Sequence, residues 1–194
     1  MKKILCIWIM LFLSLLGINT LGAGNPPGKG DLLPALSLPI PKDPEARNYL
    51  GLSGEGLFKI PHLEAQVVII EIFSMYCPYC QKEASSVNEL FQAIEDLPYL
   101  KEKIKLIGIG AGNTPFEVGI FKKTYNIPFP LFADQDFVLH KSLGEVRTPY
   151  FLAIKINKDK THQVIYSELG SLNGAKAFLK KILTLAKLKQ EDRR

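Results

Sequence analysis

A chain of 194 residues, 47% of them hydrophobic and 22% charged, is long enough for one domain with a real core and too apolar to stay disordered. Its formal charge of +5 falls to +3 once Lys2 and Lys3 of the N-terminal segment are set aside, since 22 basic residues then face 19 acids. That balance is too mild to draw in a polyanion, so nucleic acid is not an expected partner.

Residues 1–24 read as an export signal or an N-terminal membrane anchor: Lys2 and Lys3, an apolar stretch from Ile4 to Ile18, then the small residues Gly22-Ala23-Gly24. Either reading translocates the remainder, residues 25–194, and places it outside the cytoplasm as a single domain, with the periplasm as the expected compartment. A lipoprotein signal would need a cysteine where Gly24 stands. Residues 25–66 carry Pro26-Pro27-Gly28, Pro34, Pro39, Pro41 and Pro44, and read as a leader that wraps or pairs at an edge, not as a helix.

Val67 to Phe73 is a continuous apolar run rich in β-branched residues, broken by Glu71 alone. A central strand buried on both faces has that pattern. It gives way to Cys77-Pro78-Tyr79-Cys80 and then to an amphipathic helix reaching about Asp96, with Ala84, Val87, Leu90, Phe91 and Ile94 at helical spacing. A cysteine at a helix start faces free amides and the positive dipole end, which can lower a thiol pKa from about 8.5 into the range of roughly 3.5–7.5. Cys77 is therefore the expected nucleophile. Cys80, one turn on, would release a mixed disulfide by closing the internal one.

Cys6 lies in the N-terminal segment, so the pair has no other cysteine with which to bond in the domain. A two-residue spacer closes almost no loop, and a purely stabilising disulfide would restrain the unfolded chain little. Zinc and haem chemistry find no support. The three scattered histidines, His62, His140 and His162, do not complete a zinc set, and Gln81 stands where haem attachment needs histidine.

Ile104 to Ile109 reads as a second buried strand ending in Gly108-Ile-Gly110-Ala-Gly112, which lacks dinucleotide-loop spacing and is expected to be a tight strand-to-helix turn. Asn113 then looks like a helix cap, with Pro115 in the first turn of a helix to about Tyr125. A short strand at Leu131-Phe132 leads to a short helix around Leu139. Two further strands, Tyr150 to Ile156 and His162 to Ser167, flank the polar turn Asn157 to Lys160. The last helix is expected from Leu172 to about Leu188, capped by Ser171, with its lysines Lys176, Lys180 and Lys181 on a solvated face. The order is βαβαβ, a short helix, then ββα.

Three motifs on this order resemble the thioredoxin superfamily, in its exported TlpA/ResA-like branch with a redoxin-type insertion, over roughly residues 31–188. They are Phe73-Ser-Met-Tyr76-Cys77-Pro-Tyr-Cys80, Arg147-Thr148-Pro149 before a strand, and Glu71 six residues before Cys77. The resemblance implies an α/β thioredoxin-like fold: a central mixed β-sheet flanked by helices, with a βα insertion and an N-terminal extension. It implies a cis-proline at Pro149, the form that costs only about 0.5–1 kcal/mol at X-Pro bonds. Beside it the Thr148 backbone can offer an edge to a substrate strand. Tyr76, Pro78, Tyr79, Thr148 and Pro149 become the substrate-facing residues. Glu71, costly to bury charged, should have a raised pKa and exchange protons with Cys80. Two departures stand out: Pro78-Tyr79 is the dipeptide familiar from glutaredoxins, and Tyr76 replaces the commoner tryptophan.

The implied function is an extracytoplasmic thiol-disulfide oxidoreductase that exchanges with protein thiols and disulfides, acting as a reductant recharged by a membrane electron donor. The membrane would be met only through the N-terminal segment, if uncleaved. Two alternatives stay open. One is a peroxiredoxin-like thiol peroxidase, for which Ser74 is suitably placed but Ile70 occupies the place of a proline. The other is a copper-binding redox chaperone using both thiolates, since soft sulfur ligands select Cu(I), with help from His140 or Met75.

Overall fold

The computed structural model describes residues 24–188. Residues 1–23, which hold nearly all of the expected signal or anchor and Cys6, and residues 189–194 lie outside these. Within them a two-stranded ribbon, β1 (Ser37–Pro39) with β2 (Leu57–Lys59), precedes a five-stranded sheet. Its strands are β3 (Val67–Phe73), β4 (Ile104–Ala111), β5 (Leu131–Asp134), β6 (Tyr150–Ile156) and β7 (His162–Leu169). The order across the sheet is β5-β4-β3-β6-β7. Strand β3 runs parallel to β4 and antiparallel to β6, so the sheet is mixed, as expected. Its central place follows from its sequence: seven residues, all buried, can only sit with a neighbour on each edge and a layer on each face.

Alternation along β3 sends Val67, Ile69 and Phe73 to one face and Val68, Ile70 and Ile72 to the other. The first face meets the helices α2 (Pro78–Glu95), α4 (Pro115–Thr124) and α6 (Ala175–Ala186), through Val87, Phe121, Phe178 and Ile182 among others. The short α3 (Pro98–Lys101) closes α2 onto β4. The second face is covered by the N-terminal extension: Leu33, Leu36, Leu38, Phe58, Ile60, Leu63, and Leu50 of α1 (Pro44–Leu50). Burial of each such side chain is worth roughly 1.5–3 kcal/mol. The extension also pairs with β7, where Gly30 donates to the Val164 carbonyl at 2.8 Å and Val164 donates to that of Asp31 at 2.8 Å.

Helix α1 corrects the reading of residues 25–66 as helix-free. Asp43 accepts from the amides of Glu45 and Ala46, Pro44 sits in the first turn where its missing N–H is no loss, and Gly51 closes the helix with φ 65°. The glycines after Ile107 also differ from expectation. Gly108 and Gly110 belong to β4 and not to a turn, and a Cβ on either would meet the Phe73 ring at 3.1–3.2 Å and Leu131 or Val118 closer still. Their smallness makes room for Phe73. Helix α4 is capped by Thr114, in a reciprocal capping box with Glu117, and not by Asn113. Helix α6 starts at Ala175 after Gly174, without a side-chain cap; Ser171 and Leu172 precede it, in a loop. The short α5 (Val138–Ser142) lies between β5 and β6.

Candidate active site

Cys77 is the residue before the first turn of α2, in extended conformation, with Pro78 at the first helical position. The loop that brings it there is held from several sides. The Asn113 side chain, fully buried, accepts from the Met75 amide at 2.8 Å, and the Gln81 amide group donates to the Met75 carbonyl at 2.8 Å. The Tyr76 hydroxyl donates to Glu117, whose other oxygen accepts from the Thr114 amide at 2.7 Å. The capped start of α4 thus fixes the approach to the dithiol. Tyr76 and Tyr79 remain exposed beside it, as does Pro78.

The two thiols differ in environment. Cys77 is partly exposed; Cys80 is completely buried. Desolvation raises the pKa of Cys77, but the Thr148 side chain, the Cys80 backbone and side chain and the Tyr79 backbone lower it by more, and the net direction is down. In its protonated form the Cys77 Sγ donates to the Thr148 carbonyl at 3.3 Å. Burial pushes the Cys80 thiol strongly up, and the negative charge of Glu71 adds to this. One sulfur gives up its proton more readily than an ordinary thiol, and the other holds its proton.

Thr148 and Pro149 are joined by a cis peptide bond, and Pro149 is buried with Thr148 half-buried above it. A cleft of about 440 Å³ opens here, lined by Tyr79, Lys82, Arg147, Thr148, Pro149 and Leu169 among others. A larger groove of about 970 Å³ lies at the far end of α2, against α6, and contains none of the dithiol residues. Among the described residues no group of histidine, cysteine and acid side chains is placed to hold a metal ion. No helix of these residues is long and apolar enough to cross a membrane.

Glu71 pairs across the sheet with Gly108 on one side and Phe151 on the other, and alternation points it to the helical face. It is 2% exposed, and its Oε1 has no hydrogen-bond partner. Desolvation first, then the charges of Glu83 and Cys77, push its pKa from 4.5 to about 8. Glu83 escaped the sequence reading. It is 7% exposed, lines the cleft, and accepts from the Leu172 amide at 2.9 Å. Its signal was present: an acid three residues after Cys80, hence on the same helix face, inside the stripe Cys80, Ala84, Val87. Asn113 and Met75 were each named for a different task, a helix cap and a copper ligand.

A dithiol split into an accessible low-pKa thiol and a buried high-pKa one, at a helix start and beside a cis-proline on a mixed sheet, defines a thioredoxin-like thiol-disulfide oxidoreductase. Comparison with known proteins agrees. The chain belongs to the AhpC/TSA family, which it matches over residues 31–167. It is 28% identical over 142 residues to the thiol-disulfide oxidoreductase ResA of Bacillus thuringiensis subsp. konkukian, a match covering 71% of this chain and 76% of that protein. Two solved structures share the fold. A secreted Mycobacterium tuberculosis disulfide oxidoreductase, homologous to Escherichia coli DsbE, has TM-score 0.51 and 17% identity, over 67% of this chain and 90% of that one. The thioredoxin domain of a thiol-disulfide oxidoreductase from Bacteroides vulgatus has TM-score 0.58 and 13% identity, over 80% and 98%.

Proposed function

We propose that this protein is an extracytoplasmic reductant that exchanges its Cys77–Cys80 dithiol with the disulfides of other proteins. The observation that carries the reading is the contrast between the two sulfurs, partly exposed Cys77 with a lowered pKa and buried Cys80 with a raised one. The Cys77 thiolate attacks one sulfur of the partner disulfide, and that bond breaks to release one partner thiolate. Cys80 then loses its proton and attacks the Cys77 Sγ, which releases the second partner sulfur. Two electrons pass to the partner, whose disulfide becomes two thiols, and Cys77 and Cys80 become the disulfide.

Glu71 serves the second half of this cycle as the proton acceptor for Cys80, since a carboxyl with pKa near 8 keeps an ionised fraction at neutral pH. Thr148 offers its backbone edge to the partner segment, with Tyr76, Pro78, Tyr79 and Pro149 forming the apolar surround. The leader at residues 1–24 supports export, and residues 25–194 form the single working domain, recharged by a membrane electron donor. Dithiol exchange is preferred to peroxidase chemistry because the resolving thiol already stands in the first turn of the helix that the attacking one precedes.

The reduction potential of the couple tests the direction of flow. A value near −270 mV fits a reductant, whereas one near −120 mV would make the protein an oxidant and overturn the proposal.

A further inference from the structure

The charges around the cleft are unbalanced in one sense. Lys82 of α2 and Arg147, the residue before Thr148, both line it and are exposed, and neither makes an ion pair among the described residues. Two acids in or beside the cleft are already engaged, and Glu145, exposed two residues before Arg147, does not line it. Glu83 is buried and accepts from the Leu172 amide at 2.9 Å. Glu168, next to Leu169 of the cleft, is held by Lys181 at 3.0 Å and by the Tyr166 hydroxyl at 3.0 Å. On the opposite flank of Cys77, Glu117 takes the Tyr76 hydroxyl and the Thr114 amide. The surface that a partner must cross to bring its sulfur to Cys77 thus offers two uncommitted cations and no uncommitted acid among its cleft-lining residues. Tyr79, 74% exposed, and Leu169, 45% exposed, line the same cleft and provide apolar contact for the same segment.

We propose that the partner of this dithiol is a protein segment carrying acidic residues next to its reactive cysteine, with those carboxylates seated between Lys82 and Arg147. The proposal rests on the exchange reading above and adds the substrate class to it. An acid one or two residues from the cysteine is within reach of both cations when the segment runs along Thr148, because Arg147 precedes that residue and Lys82 follows Cys80 by two positions on the exposed side of α2. Exposed charge pairs of this kind act mainly on encounter rate and specificity.

The test uses the reduced full chain and three disulfide-bonded peptides, identical except that the residues flanking the cysteine are aspartates, serines or lysines. Second-order reduction rates are measured by stopped flow. At low ionic strength the aspartate peptide should react about tenfold faster than the lysine peptide, with the serine peptide between them. Added salt should narrow the gap, because exposed charges are screened. Lys82→Glu with Arg147→Glu should invert the order. Lys82→Gln with Arg147→Gln, a milder pair in case charge reversal disturbs folding, should flatten it. Equal rates for the three peptides with the unaltered protein would overturn the acidic preference while leaving disulfide exchange in place. An aspartate preference that survives in both double variants would overturn its assignment to these two residues. Failure to reduce any of the three would instead remove the exchange reading itself.

Discussion

Strand β3 turns Val68, Ile70 and Ile72 toward the N-terminal extension and Val67, Ile69, Glu71 and Phe73 toward the helices. The two faces are one residue out of phase and equally dry, and both bury ionisable groups, but on different terms. On the extension face Asp134 accepts from the amides of Leu139 and His140, and Lys105 donates to the Lys101 carbonyl. On the helix face Glu71 lies with Cys80 and Glu83, each 7% exposed or less, and the Glu71 Oε1 has no hydrogen-bond partner. Burial of a charge without a partner costs several kcal/mol, whereas an aliphatic side chain in the same place gains. On the extension side, then, each buried charge is partnered and the rest is aliphatic packing, and the helix side, with Glu71 unpartnered, shows where stability has been given up to shift proton affinities. Substitutions on the two sides should separate these roles.

The largest expected effect is on the helix side. Cys80→Ser should abolish turnover and accumulate mixed disulfides through Cys77, since the covalent intermediate has lost its internal exit. Cys77→Ser should abolish turnover without trapping partners. Non-reducing gels of the two variants read the difference directly, and equal trapping by both would remove the distinction between attacking and resolving thiols.

Glu71 should make stability depend on pH. Its folded pKa, about 8, lies above the ordinary value of 4.5, so the native state holds a proton that the unfolded chain releases. The native state is then most stable relative to this group below about pH 4.5, and loses up to roughly 5 kcal/mol as pH rises through 8. Urea unfolding of Glu71→Gln should show this slope flattened and stability at pH 8 raised. The same variant should slow exchange by about tenfold to a hundredfold near neutrality. An unaltered rate together with the flattened slope would leave Glu71 a structural acid only.

On the extension side, Ile70→Ala should cost about 2–5 kcal/mol of stability through a lost side chain and the cavity left behind. The alkylation midpoint of Cys77 should not move, and a clear shift would show that the two faces are coupled. The smallest effect is expected at Asn113. Asn113→Ala leaves the Met75 amide without its acceptor, at about 1–3 kcal/mol, and loosens the loop that presents Cys77 to Thr148 and the helix amides. The Cys77 midpoint should rise toward that of a free thiol. Stability loss with an unmoved midpoint would reduce Asn113 to a packing role.

The strands of the sheet were legible because their burial is written in uninterrupted apolar runs, and Val67–Phe73 and Tyr150–Ile156 match their expected bounds. Helix α2 and the dithiol at its head were legible for the same reason, through the 3.6-residue period. Helix α1 was hidden by its prolines, although Asp43-Pro44-Glu45 and Gly51 are good start and stop signals once Pro44 is seen as a first-turn residue. Asn113 and Thr114 compete for one cap, and the Thr-x-x-Glu spacing favours Thr114, which frees the Asn113 side-chain oxygen to accept from the Met75 amide. Leu172 looked helical because it is apolar and in phase; it is instead a buried loop residue whose amide is tied to Glu83. Apart from Gln81 with Met75 and Thr114 with Glu117, the polar contacts of the site join residues 38 to 89 positions apart, such as Met75 with Asn113 and Glu83 with Leu172. No local pattern encodes them.

The ladder between residues 30–31 and Val164 makes the extension part of the sheet's outer edge as well as the cover of its back. A chain shortened to begin at Val67, the first residue of β3, would therefore lose more than an ornament. It would present Val68, Ile70, Ile72, Leu152 and Ile154 as one wet apolar wall and leave β7 with open backbone groups, the two features that make strands from different molecules stick together. Such a fragment would keep both cysteines and every other residue of the dithiol site, and would come out of solution before it could use them.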